Sequence, residues 1–286
     1  MRIFLTGASG FIGSRVLQVS QAGGHDVLCL RRPHTLADLP FERIADFRPE
    51  VCIHCAWIAT PGVYQDSPAN ADHQAWGLSL VEQLSALGTR RFVMIGSCAE
   101  YAASATPLGE DHPLVAAGTP YAAAKCGLRQ TLRVMQRTTD FDLAWLRVFF
   151  PFGVGEHPQR LFSSVARACR EGDYDPAMIR FPHAVRDYVH VDDVAAAIVL
   201  VAERSADGDF NVGTGRGIEV GAAASLLARM LGVRPREDAR SPDPTTEDMV
   251  VAAPSRLLAC GWRPRHDLES GLAGYSHHFR GEASPT

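Results

Sequence analysis

The chain has 286 residues, 46% of them apolar, with a formal net charge of −4 and seven cysteines. That is enough to bury a sizeable core, as one large α/β domain or as a domain carrying a smaller lobe. The mildly acidic balance speaks against a basic nucleic-acid face, and no apolar run reaches the roughly 20 residues needed to cross a bilayer. Met1-Arg2 leads straight into the apolar Ile3-Phe4-Leu5 with no signal-peptide pattern, and an odd number of scattered cysteines suits a reducing cytoplasm better than a disulfide framework. No nucleic-acid or membrane partner is therefore expected.

In chain order, residues 2–5 are a short apolar run that reads as a buried strand. A helix is expected over 10–22, stopped by Gly23-Gly24, then strands at 27–30 and 51–54. Cys52-Ile53-His54-Cys55 imitates a metal motif, but residues three apart on a strand point to opposite faces, so no metal is expected there. The segment between the second strand and Val51 is too short for a further helix, strand and helix. At best it holds a strand stub around Leu39-Pro40-Phe41, which leaves a thin wall on that side of the sheet. A helix over 74–87, a strand at 91–95, a helix over 121–138 and a strand at 143–147 complete the alternation. The expected fold is α/β, a Rossmann-type doubly wound parallel sheet whose ligands bind beyond the carboxyl ends of the strands.

From about Gly153 the alternation breaks down. Helices are expected over 161–171, 193–203, 221–231 and 268–277, with Asp192 as an N-cap. The division that follows is a dinucleotide-binding core over 1–152 and a smaller, mainly substrate-binding C-terminal lobe over 153–280. Some segments of the lobe return to the core, and a loose tail follows over 281–286.

Two patterns carry chemistry. In Thr6-Gly7-Ala8-Ser9-Gly10-Phe11-Ile12-Gly13, Gly7, Gly10 and Gly13 allow a tight turn after the first strand and close approach of backbone to a pyrophosphate. The N–H groups around Phe11 and Ile12 open the helix. Past the second strand stand Arg31 and Arg32, whose guanidinium forks suit a ribose 2′-phosphate; NADP is favoured over NAD on that ground. The second pattern is Tyr121-Ala122-Ala123-Ala124-Lys125. Positions i and i+4 of a helix are neighbours, and an ammonium beside a phenol favours the phenolate, as proton transfer near neutral pH requires. Ser97, just past a strand, is placed to hydrogen-bond the same substrate oxygen.

With His54-Cys55-Ala56, the run from Arg186 to Ala195 and the run Phe210-Asn211-Val212-Gly213-Thr214-Gly215, these motifs resemble the extended short-chain dehydrogenase/reductase superfamily in its nucleotide-sugar epimerase/dehydratase branch. The resemblance covers nearly the whole chain. It implies that Tyr121 is the acid/base, that Lys125 binds the nicotinamide ribose and tunes the tyrosine, and that Ser97 orients the substrate oxygen. Ala56 is implied as part of the cofactor wall, and Arg186, Tyr188 and Arg160 as substrate contacts, Arg186 on a diphosphate. A homodimer built on the helices over 74–87 and 121–138 is also implied.

Departures from the family pattern narrow the reaction. The two positions after Ser97, Cys98 and Ala99, lack the carboxylate of the 4,6-dehydratases, and Glu100 stands one residue out of register. Phe150 stands where the family often has Asn, and Ala253 where Asp is usual. The favoured expectation is NADPH-dependent reduction of a keto group, at C4, on a nucleotide-linked deoxysugar. Arg31-Arg32, the thin adenine wall, and the likeness of residues 96–101 and 155–161 to reductase-like proteins of this branch support it. The alternative is an NAD-dependent nucleotide-sugar 4-epimerase. A non-catalytic dinucleotide sensor is the third reading, and the intact Ser97, Tyr121 and Lys125 set argues against it.

Overall fold

The computed structural model describes residues 1–29, 38–115, 118–234 and 248–280, the side chains of 275–280 excepted. Its first half alternates β1 (Arg2–Thr6), α1 (Phe11–Ala22), β2 (Asp26–Cys29), α2 (Phe41–Phe47), β3 (Val51–His54), α3 (Ala69–Ala86), β4 (Arg91–Ser97), α4 (Pro120–Met135) and β5 (Asp142–Val148). The second half adds β6 (Phe150–Phe152), α5 (Leu161–Glu171), β7 (Val185–Arg186), β8 (Tyr188–His190), α6 (Val191–Glu203) and β9 (Gly208–Val212). It closes with β10 (Ile218–Glu219), α7 (Val220–Met230), β11 (Met249–Val250), α8 (Ser255–Ala259) and α9 (Leu268–Arg280).

Six strands form one parallel sheet in the order β2-β1-β3-β4-β5-β9. The strands are apolar on both sides because both faces are covered. Ile3, Leu5, Ile53, Val93 and Leu146 face one core with Val16 of α1 and Val194, Ile198 and Val201 of α6. Their neighbours Phe4, Cys52, Phe92, Met94 and Trp145 face the other, with Leu80 and Leu84 of α3 and Leu128 and Leu132 of α4. This is the doubly wound arrangement expected from the alternation. Strand order reverses between β1 and β3, so the crevice for a ligand opens beyond Thr6 and His54.

α5 spans the residues read for it, and α4 opens with Pro120 at its first position and Thr119 as a cap accepting from Ala122 N. Three local readings differ. α3 begins at Ala69 rather than at 74. The stub expected around residue 40 is a helix, because Phe41, Ile44 and Phe47 lie three apart and turn one apolar face to the core. Among the described residues no strand pairs with the outer side of β2. The cap of α6 is His190, whose Nδ1 accepts from Asp192 N at 3.4 Å, and Asp192 sits inside the first turn instead.

The second half splits its residues between two places. β9 and α6 join the main sheet and its core. The three-stranded sheet β10-β7-β11, the pair β6-β8 and helices α5, α7 and α9 surround a separate core centred on Phe152, Phe162, Val165, Leu227 and Leu272.

Candidate active site

The glycine loop is built on contacts that exclude any side chain. Gly7 has φ +72°, and a Cβ on it would lie 2.7 Å from Ala56 N. A Cβ on Gly13 would lie 2.1 Å from the Gly7 carbonyl oxygen. α1 therefore starts hard against the ends of β1 and β3. Its cap, Gly10, supplies no side-chain acceptor, and its first turn holds no acidic residue. The N–H groups around Phe11 and Ile12 are thus left for an external anion. Ala56 closes the other side, its N–H reaching Thr6 Oγ1 at 3.4 Å. This cradle fits a dinucleotide pyrophosphate. Arg31 and Arg32 lie outside the described residues.

Ser97, Tyr121 and Lys125 come together at the carboxyl end of β4. Lys125 is 3% exposed, and its Nζ donates to the Ile95 carbonyl at 2.6 Å. Burial pulls its pKa down to about 7, with the Glu100 carboxylate opposing the fall. Burial pushes the Tyr121 phenol above its ordinary range, and the Ser97 hydroxyl, as a hydrogen-bond partner, works against that. Tyr121 is further fixed by Gln65, whose carbonyl accepts its backbone N–H at 3.0 Å, and by Tyr64, edge-on with centroids 4.8 Å apart.

Ser97 is held from behind. Its N–H donates to Glu100 Oε1 at 2.8 Å, while its Oγ accepts from Ala99 N at 3.2 Å, a capping box on one short turn. Glu100 is wholly buried and turned into the sheet, where it accepts from Trp145 Nε1 and, at 2.8 Å, from Arg147 Nε. Gly96 makes room, since a Cβ there would lie 2.5 Å from Glu100 Oε1. Arg147 continues to Tyr101 Oη at 3.1 Å and Asp209 Oδ2 at 3.3 Å. The carboxylate nearest Ser97 in sequence is thus committed to structure.

On the lobe side, a cavity of about 390 Å³ is lined by Phe150, Gln159, Leu161, Met178, Arg186 and Tyr188. Arg186 already has partners: its guanidinium pairs with Asp248 Oδ1 at 2.6 Å and stands 5.4 Å from the Phe150 ring. Asp187, beside it, ties the lobe together by accepting from Thr214 N, Gly215 N and Ala252 N. Tyr188 packs edge-on against Phe162 at 5.0 Å. Arg160 is the cap residue of α5, next to cavity-lining Gln159 and Leu161. Sequence reasoning missed Trp57 and Tyr64, which crowd around Lys125 and Tyr121, and Asn70, which accepts from the Trp57 indole. An aromatic residue directly past the end of β3 was the available signal.

Residues 3–213 match the NAD dependent epimerase/dehydratase family. The chain belongs to that family. It is 29% identical over 324 aligned positions to a UDP-glucose 4-epimerase of Mycolicibacterium smegmatis, covering 99% of this chain and 100% of that protein. It is 25% identical to GDP-L-fucose synthase 1 of Arabidopsis thaliana, over 95% of this chain and 91% of that one. Among solved structures, the UDP-glucose 4-epimerase of Thermus thermophilus in complex with NAD superposes with a TM-score of 0.76 at 25% identity. That match covers 99% of this chain and 100% of the other. The Rossmann-type fold of this family is thereby shown.

Proposed function

We propose that the protein is a nucleotide-sugar 4-epimerase that works with a tightly held NAD. The carrying observation is the convergence of Ser97, Tyr121 and Lys125 beside the glycine cradle in a chain that aligns end to end with a UDP-glucose 4-epimerase. The relatives' names favour this reading over the reduction that the sequence favoured. Gly7, Gly10, Phe11, Ile12, Gly13 and Ala56 would hold the dinucleotide. The chemistry supplied by a nicotinamide seated there is reversible hydride acceptance at C4. Tyr121 takes the O4 proton as hydride leaves and gives it back when hydride returns to the other face. Ser97 donates to the same oxygen, and Lys125 holds positive charge beside the phenol.

In this reading residues 1–152 serve the dinucleotide and residues 153–280 mainly the sugar nucleotide, in the cavity between Phe150 and Tyr188. Arg186 reaches a diphosphate by exchanging Asp248 for it, with Arg160 nearby. Packing of α3 and α4 between two copies gives the homodimer.

One observation supports a second reading, a ketoreductase using NADPH. Among the described residues no strand pairs with the outer side of β2, and two arginines follow it in sequence. One experiment separates the two. The purified protein is denatured to release and identify its dinucleotide, and in parallel is incubated with UDP-galactose without added cofactor. Bound NAD and formation of UDP-glucose support the epimerase. Absence of both, with NADPH consumed on a nucleotide-linked 4-keto-6-deoxyhexose, overturns it for the reductase.

A further inference from the structure

Trp57 completes the run His54-Cys55-Ala56-Trp57 past β3, and its indole covers the Lys125 ammonium. Nζ lies 3.6 Å from the ring centroid while donating to the Ile95 carbonyl. The indole is not free to choose that place. Its Nε1 donates to Asn70 Oδ1 at 2.8 Å, and Asn70, 1% exposed, is itself anchored through its amide to the Tyr64 and Ser67 carbonyls. The ring is stacked on His73 at 5.2 Å between centroids, 24° from parallel. It stands edge-on to Tyr121 at 6.3 Å. A cation over an indole face is attracted by the ring's quadrupole, most strongly where water is excluded.

We propose that Trp57 is a positioning residue for Lys125, holding the ammonium charged and at one place beside Tyr121. The role rests on the reading of Lys125 as the partner of a proton-transferring Tyr121. The physical need for it is plain. A buried ammonium loses its hydration, and among the described residues its hydrogen bond goes to one carbonyl. Burial brings Lys125 to about 7, where a small further loss would leave it neutral. The other titratable groups around it are Cys55, His54, His73, Glu100 and Tyr121. His54 and His73 disfavour the ammonium if protonated, and burial keeps both below their ordinary range. Glu100 favours it, but spends its hydrogen bonds on Ser97, Trp145 and Arg147.

The test uses the full chain as purified, with the dinucleotide it carries, and reads Trp57 directly. Tryptophan emission is titrated from pH 5 to 9 in the wild type, Lys125→Met and Trp57→Phe, the chain having four tryptophans. A wild-type transition near pH 7 that disappears in both variants is expected, while any His73 transition survives in Lys125→Met. If the transition persists unchanged in Lys125→Met, no lysine faces the ring and the proposal is overturned. This arm does not depend on which reaction the enzyme performs.

The second arm is the pH profile of kcat/KM with UDP-galactose. In Trp57→Leu, losing the π face should move the limb that reports Lys125 about one unit to lower pH. Trp57→Phe, which keeps a weaker π face, should move it less. Equal displacement in both would assign the effect to packing and overturn the proposal. Inactivity of the wild type on UDP-galactose would count against the epimerase reading alone, since the emission arm still decides whether the Lys125 ammonium titrates against the Trp57 ring.

Discussion

A phenol, an ammonium and a hydroxyl are interchangeable parts until their neighbours are known. Tyr121 is held by the Gln65 carbonyl and the Tyr64 ring as well as by its own helix. Removing only its oxygen should therefore leave the scaffold in place. Tyr121→Phe is expected to bind the dinucleotide within about twofold of wild type while turnover falls by about 10²- to 10⁴-fold. Calorimetric titration beside a turnover assay measures both, and surviving turnover would remove Tyr121 from the chemistry. The sequence disclosed these reactive groups because their spacing is local: glycines three apart, a tyrosine and a lysine four apart. It did not disclose Trp57 over Lys125, nor Asp248 on Arg186. Those contacts join residues 68 and 62 positions apart, from 125 − 57 and 248 − 186, and no local period encodes such a pairing.

Elements transmit these placements. The end of β1 and the start of α1 touch through bare backbone, so a methyl on Gly13, with 2.1 Å to the Gly7 oxygen, must push the helix away from the loop. Gly13→Ala should weaken dinucleotide binding by at least about tenfold, about 1.4 kcal/mol, as read by calorimetry. The turn after β4 depends on a buried ion pair. Glu100→Ala would leave Arg147, 1% exposed, with Asp209 as its counter-charge among the described residues. A loss of about 3–5 kcal/mol in urea unfolding is expected. Pairing it with Arg147→Met should recover much of that loss, because the uncompensated charge is gone. Periodicity made α5 readable to the residue and the six sheet strands readable in place, apart from β9. It missed α2, where a proline and a short apolar run look alike as strand stub and helix start. Asp192 and His190 exchanged roles at α6, since both side chains can accept from a first-turn N–H.

For the whole molecule the joint between β1 and β3 is where stability and site meet. His54 is 2% exposed at the sheet centre, with Nδ1 2.8 Å from Thr6 Oγ1. Burial, with Lys125 and His73 adding, lowers its pKa to about 3, against about 6.5 in the unfolded chain. The sign follows from proton uptake. Between those values the unfolded chain binds one proton more than the native one, so stability falls as pH drops below 6.5 and the loss levels off near 3. His54 alone should cost about 1 kcal/mol per pH unit in that window. His73 and His190, also lowered by burial, act in the same direction. The carboxylates held below their ordinary range, Asp207 and Asp209, lose their contribution only as pH falls through and below the unfolded carboxylate range near 4. Between pH 6.5 and 5 the histidines therefore govern. Urea unfolding at pH 7.0, 6.0 and 5.0 should show this decline, and His54→Gln, which can still bond Thr6 but does not titrate, should flatten its slope by about 1 kcal/mol per unit. Equal slopes in the two proteins would mean that His54 accepts its proton inside the fold, and that the joint between β1 and β3 is open to water.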